Sequence, residues 1–395
     1  MAINTEYKLL ESKKAFNDFI TDNQEVTWLA FDTEFITEKR FIPQLCLIQV
    51  ATEHGNYLID SLRIADLSGL MKMMENPAIL KITHAGENDY RIFYKLFGTL
   101  PVNVFDTQIA DGFLNYQFPM SFKDLVKRYL NIHLQKGYKV SNWSKRPFDE
   151  RQLNYALEDV IYLYDLYTNL KTALAKRGRF GWVMDECQTL CKQSAYQSDP
   201  YKDLAKSRTF GTLRKQSKVF LVRMMNWRSK EAERKNISKK MVMDTKIMYE
   251  IAKNIGVGKK ALESHRIIPD WVTRKYWDTF ADLYEQPVTE EENAVIKQYG
   301  SPIRSNMQRS LTMDLLISLL KYKAMEYEVS SNLIVNRADL NQMKLEPNFF
   351  PSYFENGWRR ELLGDDLISW LKNRSPLSVE MVENQWIIAE KKRKK

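Results

Sequence analysis

Two carboxylates lie close together in the apolar run from Trp28 to Phe35, which reads WLAFDTEF. The composition of this run predicts a strand. On a strand, residues i and i+2 point to the same side, so Asp32 and Glu34 would present their carboxylates side by side. Such a pair repels itself and loses hydration, and a bound divalent cation relieves both effects. We therefore predict a metal site here. The alternative is a strand end that faces water, where both groups keep ordinary pKa values.

A tyrosine and an aspartate share one face of a second element. Residues 151–170 follow a helical pattern, and Tyr155 and Asp159 are four residues apart, about one turn. A phenol beside a metal-ligand carboxylate can hold a metal-bound water in line with a phosphorus. In the alternative interpretation, which is the commoner one for an isolated pair, Tyr155 is a partly buried aromatic and Asp159 a solvated helix residue.

A further carboxylate, Asp89, follows a turn between a predicted strand and a predicted helix. The segment is Thr83-His84-Ala85-Gly86-Glu87-Asn88-Asp89. In open α/β sheets the strand ends and the loops after them carry the active site, which favours a functional role. Capping of the helix N-terminus is the alternative for Asp89. A structural hydrogen bond is the favoured role for His84, and a contact with substrate or metal is the alternative.

Strands and helices that would position these groups alternate between about residues 25 and 110. The predicted strands are Thr27–Phe35, Leu45–Ala51, Asn56–Asp60, Ile79–His84 and Val102–Asp106. Short loops join the first three, which suits an antiparallel meander, whereas helical segments precede the last two, which suits parallel crossovers. The pattern predicts an α/β domain with a mixed five-stranded sheet and flanking helices.

The remainder of the chain is helical in pattern. We place the first domain at residues 1–190 and a polar linker at 191–211. An interruption at residues 286–289 divides the helical half into blocks at 212–290 and 291–378. Residues 379–395 end in KKRKK and are expected to form a frayed basic tail.

The bulk composition limits the classes of function. The formal net charge is +9 and the pI is near 9.1, which favours an anionic partner such as nucleic acid. Three cysteines and four histidines supply neither a disulfide framework nor a histidine-rich metal site, and a Ser-His-Asp triad is poorly supplied. No apolar run reaches the length of a membrane span, so we expect no membrane partner and a cytoplasmic protein.

Six motifs occur in an order that is typical of one family. They are FDTEF (31–35), PQLxLIQ (43–49), HAGxxD (84–89), DTQ (106–108), WxxRP (143–147) and YAxxDVxYL (155–163). Together they closely resemble the bacterial ribonuclease D family, in the tyrosine-bearing branch of the DEDD exonuclease superfamily. The resemblance spans about the first 190 residues and implies an α/β ribonuclease H-like nuclease domain.

The resemblance also implies roles for individual residues. Groups matching Asp32, Glu34 and Asp159 hold one metal, those matching Asp32 and Asp89 hold a second, and the match of Tyr155 orients or deprotonates the attacking water. Ligands that are all oxygen favour two Mg²⁺ or Mn²⁺ ions. Candidate substrate contacts on this domain are His84, Trp143 and Arg146. The family usually has Ser-Asp-Trp where this chain has Ser141-Asn142-Trp143.

Basic residues are dense in the helical half. The pattern around Trp227 resembles an HRDC domain, and residues 333–362 resemble the second, more divergent HRDC-like domain of the family. Such all-α domains would bind RNA phosphates without reading bases. The alternative is a solvated surface. The candidate phosphate contacts are Arg228, Lys239, Lys240, Arg359 and Arg360.

The function implied by the resemblance is a 3′→5′ exoribonuclease that releases nucleoside 5′-monophosphates. Structured RNA precursors, tRNA above all, are the expected substrates, and we expect a monomer. Two alternatives remain from the sequence. One is a 3′→5′ exonuclease that acts on DNA, and the other is a catalytically silent nucleic-acid adaptor.

Overall fold

The computed structural model describes residues 4–134, 142–197, 200–201, 204, 207–299, 307–346, 349–373, 377–383 and 385–390. The chain divides into two compact units. The first unit takes the described residues up to Phe35, those at 45–196 and those from 307 onward. The second takes residues 36–44 and the described residues at 197–299. Among the described residues, no helix combines the length and the apolar character that a membrane crossing requires.

A mixed sheet lies at the centre of the first unit, with strand order β1-β4-β3-β2-β5-β6. The strands are β1 (Tyr7–Leu10), β2 (Trp28–Ile36), β3 (Gln44–Thr52), β4 (Gly55–Ile59), β5 (Leu80–Thr83) and β6 (Val104–Asp106). Strands β3 and β4 are antiparallel, whereas β1/β4, β2/β5 and β5/β6 are parallel. Strand β2 therefore occupies the interior of the sheet, between β3 and β5.

The predicted mixed α/β sheet is confirmed, but it has a sixth strand, β1, that the sequence pattern did not indicate. This strand pairs with β4, Tyr7 opposite Asn56 and Leu10 opposite Ile59. Of its four residues, only Leu10 is buried. A four-residue edge strand with one buried side chain leaves too little alternation to distinguish it from an amphipathic polar segment.

Helices cover the sheet and carry part of the candidate site. They are α1 (Lys13–Asp22), α2 (Ser68–Glu75), α3 (Glu87–Phe97), α4 (Thr107–Gly112), α5 (Phe122–Leu130), α6 (Glu150–Ile161), α7 (Leu163–Lys176) and α8 (Phe180–Leu190). The single helix expected at 151–170 is interrupted at Tyr162, which ends α6 and precedes α7. A capping box fixes the start of α6, because the Asp149 and Gln152 side chains each bond the other residue's backbone.

The second unit is helical. Its helices are α9 (Arg208–Thr212), α10 (Lys215–Lys235), α11 (Lys239–Val242), α12 (Thr245–Asn254), α13 (Lys259–Glu263), α14 (Asp270–Glu285) and α15 (Glu290–Tyr299). Its core contains Phe220, Met248 and Phe280.

Both predicted boundaries of the first helical block differ from the structure. Leu204 and Phe210, which fall in the predicted linker, are buried in the core of the second unit. Helix α15 lies beyond the predicted end at 290 but belongs to this unit. The buried Arg223 explains its attachment, because its guanidinium bonds both carboxylate oxygens of Glu292, at 2.6 and 2.7 Å. The HRDC character of this block stays a prediction.

The C-terminal part of the chain returns to the first unit. It contains α16 (Met307–Glu326), α17 (Ser331–Ile334), α18 (Arg337–Leu345), α19 (Gly357–Leu363), α20 (Asp365–Asn373), β7 (Leu377–Val382) and β8 (Gln385–Glu390). Strands β7 and β8 form an antiparallel hairpin. Trp386 of β8 stacks on Tyr322 of α16, with ring centroids 5.3 Å apart. The expectation of a frayed tail from residue 379 is therefore wrong for the described residues 379–383 and 385–390, whereas the mostly helical character of the block before it is confirmed. Residues 391–395 lie outside the described residues.

Helices α16–α20 share one hydrophobic core with the sheet-bearing domain. One close contact between the two parts involves Gly112 of α4, whose carbonyl accepts a hydrogen bond from the backbone N–H of Ser330 (2.8 Å). A Cβ atom at that position would lie 2.7 Å from Cδ1 of Leu333 on α17, so a larger residue there would require the Leu333 side chain to shift. The second helical block is therefore packed as part of the nuclease unit.

Candidate active site

Three carboxylates converge where β2 meets α6. Oxygen atoms of Asp32, Glu34 and Asp159 lie within 4.8 Å of one another. Strand alternation explains the first two, since Phe31 and Thr33 between and beside them are buried while Asp32 and Glu34 are half-buried. Helix α6, whose start is fixed by its capping box, supplies Asp159. Three oxygen donors at this separation can surround one hard divalent cation.

The fourth carboxylate, Asp89, is buried in the first turn of α3. The turn before it is held by Asp106, whose carboxylate accepts hydrogen bonds from the backbone N–H of Ala85 (3.1 Å) and Gly86 (2.9 Å). Gly86 is required by close approach, because a Cβ there would lie 2.6 Å from the Tyr90 hydroxyl oxygen. The Thr33 hydroxyl donates a hydrogen bond to Oδ1 of Asp89. Strand β2 thus contacts all parts of the acidic cluster.

Burial and mutual repulsion raise the pKa of every carboxylate in this cluster. The pKa of Asp32 lies well above its usual range because of burial and the charges of Asp89, Asp159 and Glu34. Burial, with Asp159 and Asp89, raises the pKa of Glu34 to about 8. Burial is also the main cause that raises the pKa of Asp89 and that of Asp159 to about 7. Four acids that resist ionisation together fit a site that is completed by cations.

Tyr155 lies one turn before Asp159 on α6, and its hydroxyl hydrogen-bonds the Asp159 carboxylate, which lowers the pKa of that acid. Burial and the charges of Asp159, Glu34 and Asp32 raise the pKa of Tyr155 above its usual value. The phenol therefore keeps its proton at neutral pH. It can orient a water by hydrogen bonding, and this favours orientation over deprotonation among its two expected roles.

His84 lies between structural partners next to this cluster. Its Nδ1 is 3.0 Å from the Thr107 hydroxyl, and its ring packs edge-on against Phe122. Burial lowers the pKa of His84, so the imidazole is neutral at neutral pH. These contacts support a structural role for His84, and its contact with substrate or metal stays a prediction.

Trp143 and Arg146 are held inside the first unit. Arg146 donates to both carboxylate oxygens of the buried Asp60, at 2.6 and 2.7 Å, and to the carbonyl of Cys46. Trp143 is buried, and its ring lies 6.3 Å from that of Tyr155. Arg146 therefore fixes the segment that packs on Tyr155, and its guanidinium is committed to Asp60 rather than to RNA. Ser141 lies outside the described residues.

The arginines predicted as phosphate contacts also have internal partners. Arg228 is buried and donates to the carbonyl of Met243 and the hydroxyl of Thr245. Arg359 forms a two-pronged ion pair with Glu186, at 2.6 and 2.8 Å. These contacts correct the prediction for Arg228 and Arg359, because a guanidinium committed to the interior is not available to a phosphate.

The other three predicted phosphate contacts lie at the surface. Arg360 pairs with Asp365 at an exposed position. Lys239 and Lys240 are exposed on α11. Of the five basic candidates, the two lysines are those whose charge is directed to solvent without an acidic partner among the described residues.

Three residues near the cluster were missed by sequence reasoning. Thr33 bonds Asp89, Asp106 holds the turn before α3, and the charge of Glu158 raises the pKa of Asp159. Thr33, Asp106 and Glu158 each lie inside one of the six sequence motifs, so the motifs already contained these residues. The sequence did not indicate the partners of Thr33 and Asp106, because those hydrogen bonds join residues that are 56 and 20 positions apart.

Comparison with known proteins places the chain among exonucleases. A family described as 3′–5′ exonuclease matches residues 7–175. The ribonuclease D of Bartonella henselae is 31% identical over 357 residues, which are 88% of this chain and 86% of that protein. The ribonuclease D of Sphingobium indicum is 29% identical over 383 residues, which are 95% of this chain and 97% of that protein.

A solved structure extends the similarity across both units. The crystal structure of Escherichia coli RNase D, described as an exoribonuclease involved in structured RNA processing, matches with a TM-score of 0.80 and 25% identity. The match covers 93% of this chain and 98% of that one. Fold and sequence therefore point to the same group of proteins over nearly the whole length of both.

Proposed function

The chain belongs to the ribonuclease D family of 3′→5′ exoribonucleases, and we propose that Asp32, Glu34, Asp89 and Asp159 form its catalytic metal centre. The observation that carries this proposal is the convergence of carboxylate oxygens from β2 and α6 within 4.8 Å. Their raised pKa values add support, because an acidic cluster that disfavours its own ionisation is stabilised by a cation.

The donor set fits hard divalent cations. Asp32, Glu34 and Asp159 would hold one ion, and Asp32 with Asp89 would hold a second. Ligands that are all oxygen select Mg²⁺ or Mn²⁺ over Zn²⁺. When bound, a pair of such ions neutralises the charge that develops on the attacking and leaving oxygens of a phosphodiester.

The protein's own groups orient the reaction. The protonated Tyr155 hydroxyl can hold the attacking water by a hydrogen bond, and the ionised carboxylate of Glu34 in the same cluster can accept a proton from that water. The Thr33 hydroxyl fixes the Asp89 carboxylate. Attack by water on the terminal phosphodiester, with the 3′ oxygen of the preceding nucleotide as leaving group, releases a nucleoside 5′-monophosphate.

Structured RNA precursors are the proposed substrates, tRNA precursors in particular, and the proposed active form is a monomer. The similarity to the Escherichia coli enzyme over 93% of this chain supports structured RNA. A preference for DNA is the competing possibility, and the same acidic cluster would serve it.

A degradation assay tests the proposal. A tRNA precursor labelled at its 5′ end, and a DNA strand of the same sequence, are incubated with Mg²⁺ or Mn²⁺. We expect a ladder that shortens from the 3′ end of the RNA, and loss of at least about a thousandfold of this activity in Asp32→Asn, the scale on which catalytic charge stabilisation acts. Asp165→Asn, which neutralises an exposed carboxylate on α7, is the matched control.

Three outcomes would contradict parts of the proposal. Full activity in Asp32→Asn would mean that the Asp32 carboxylate is not needed for catalysis. Degradation of the DNA strand but not of the RNA would mean that the substrate is DNA. RNA binding without any degradation by the wild-type protein would leave a nucleic-acid adaptor.

A further inference from the structure

The loop that follows the catalytic strand belongs to the second unit. Residues 36–44 connect β2 to β3, yet they group with the helical domain. Two hydrogen bonds explain this. The backbone N–H of Ser238 donates to the carbonyl of Lys39 (3.0 Å), and the N–H of Ile42 donates to Oδ1 of Asn236 (2.9 Å). The loop is thus fixed to the short connection between α10 and α11.

This attachment joins two basic pairs that are about 200 residues apart in sequence. Lys39 and Arg40 lie in the loop, and Lys239 and Lys240 begin α11 directly after Ser238. All four side chains are exposed, and none forms an ion pair with a described residue. Glu38 is the acidic residue of the same turn. We call the four basic residues the loop–α11 surface.

Two neighbouring basic residues differ from these four because they form ion pairs. Arg234 and Lys235, at the end of α10, both pair with Glu231, at 3.0 and 2.7 Å. The pKa of Lys239 is lowered by partial burial and by the positive charge of Arg228. Arg234 and Lys235 therefore share an acidic partner at the end of α10, whereas the four cations of the loop–α11 surface have no ion-pair partner among the described residues.

Two apolar side chains accompany these charges. Ile42, whose backbone is bonded to Asn236, is 37% exposed, and Met241 of α11 is 52% exposed. A surface that combines free cations with exposed apolar groups suits a single-stranded nucleic acid, whose phosphates need positive charge and whose bases and riboses offer apolar faces.

We propose that the loop–α11 surface binds phosphates of the RNA substrate, without reading its sequence. The inference rests on the proposed function, because it takes RNA as the ligand. Glu34 and Lys39 are five residues apart in the chain, and β2 ends between them at Ile36. The same short segment therefore carries a catalytic carboxylate at one end and, at the other, a basic group bonded to the helical domain.

Equilibrium binding tests the surface separately from catalysis. The affinity of the full chain for a single-stranded RNA of about 20 nucleotides is measured in EDTA at a series of salt concentrations. The variants are Lys39→Ala with Arg40→Ala, and Lys239→Ala with Lys240→Ala. The control is Lys235→Ala with Lys253→Ala, which removes the same charge from lysines that pair with Glu231 and Glu250.

We expect each surface variant to weaken RNA binding about tenfold at low salt and to reduce the slope of log affinity against log salt by about 1.4, the value for two phosphate contacts on a single strand. The control should change the slope by less than about 0.5. Hydrolysis of a nucleoside 5′-phosphate nitrophenyl ester, whose single phosphate is the one that reacts, should stay at the wild-type rate in both surface variants.

Each other result overturns the inference. Equal slopes in the surface variants and the control would mean that the effect is one of net charge. Unchanged RNA binding together with a new loss of binding to an acidic peptide would assign the surface to a protein partner. Loss of ester hydrolysis would mean that the substitutions disturb β2. Failure of the proposed function would be recognised separately, as wild-type RNA binding without cleavage in Mg²⁺ or Mn²⁺.

Discussion

The hydroxyl of Thr33 donates a hydrogen bond to Oδ1 of Asp89, which joins the middle of β2 to the first turn of α3. The side chain of Thr33 is buried. Burial raises the pKa of Asp89 to about 7, and this hydrogen bond acts against that rise. Thr33 thus favours the ionised form of the carboxylate, which is the form that can bind a cation.

Replacing Thr33 by valine keeps the shape of the side chain but removes the hydroxyl. Without the donor, the pKa of Asp89 rises further above about 7, so a smaller fraction of the carboxylate is ionised at neutral pH. We expect kcat/KM at pH 7 to fall about three- to tenfold and the acidic limb of its pH profile to move to higher pH. Thr33→Ser retains the hydroxyl and should keep the wild-type profile. A valine variant with an unmoved limb would contradict this role.

Substitution of Glu158 should move the acidic limb of the pH profile of kcat/KM to lower pH. After burial, the charge of Glu158 is the next largest cause that raises the pKa of Asp159. Glu158→Gln removes that charge, so the pKa of Asp159 falls and a larger fraction is ionised at pH 6. We expect the limb to move to lower pH, with unchanged kcat/KM at pH 9. The pH profile measured at saturating Mg²⁺ provides the check, and a shift to higher pH would count against the assignment.

The acidic cluster should also make the stability of the metal-free protein depend on pH. The pKa of Glu34 is raised to about 8 and those of Asp89 and Asp159 to about 7, so between about pH 4 and pH 8 the folded state binds more protons than the unfolded state. The free energy of unfolding must therefore fall as pH rises through this window. In EDTA we expect a melting temperature several degrees lower at pH 8 than at pH 5.

Two comparisons identify the cluster as the cause. Glu34→Gln removes one of the titrating groups and should flatten the dependence on pH. Mn²⁺ should raise the melting temperature more at pH 8 than at pH 5, because it binds the ionised carboxylates. A metal-free protein that becomes more stable between pH 5 and pH 8 would contradict the raised pKa values.

The proposed metal centre was easier to predict from the sequence than the surfaces around it. Asp32 and Glu34 were predicted from strand periodicity alone, since a period of two is a local property. Asp89, Tyr155 and Asp159 each had a structural alternative when taken alone. The order of the six motifs favoured the functional role for all three. Local patterns identify side chains that point the same way, and they do not identify contacts between distant segments.

The errors follow from that limit. Basic density in the helical half indicated phosphate contacts at Arg359, but its partner Glu186 lies 173 residues earlier. Conversely, Lys39 and Arg40 carried no signal, because their association with α11 depends on hydrogen bonds from residues 236–238. The hairpin β7–β8 was overlooked for a different reason. The basic run after it led to the whole segment being interpreted as a tail.

The ion pair between Arg359 and Glu186 should be the main polar bond that attaches the second helical block to the nuclease domain. The two side chains are only 12% and 16% exposed, and Glu186 also accepts a hydrogen bond from the indole of Trp358. Arg359→Ala would leave a largely buried carboxylate without its cation, so we expect a loss of about 3 kcal/mol in the free energy of unfolding. Arg360→Ala breaks the adjacent pair with Asp365, whose side chains are 55% and 77% exposed, and should cost about 0–1 kcal/mol. Urea unfolding of the full chain measures both, and equal losses would mean that the buried pair does not hold the block in place.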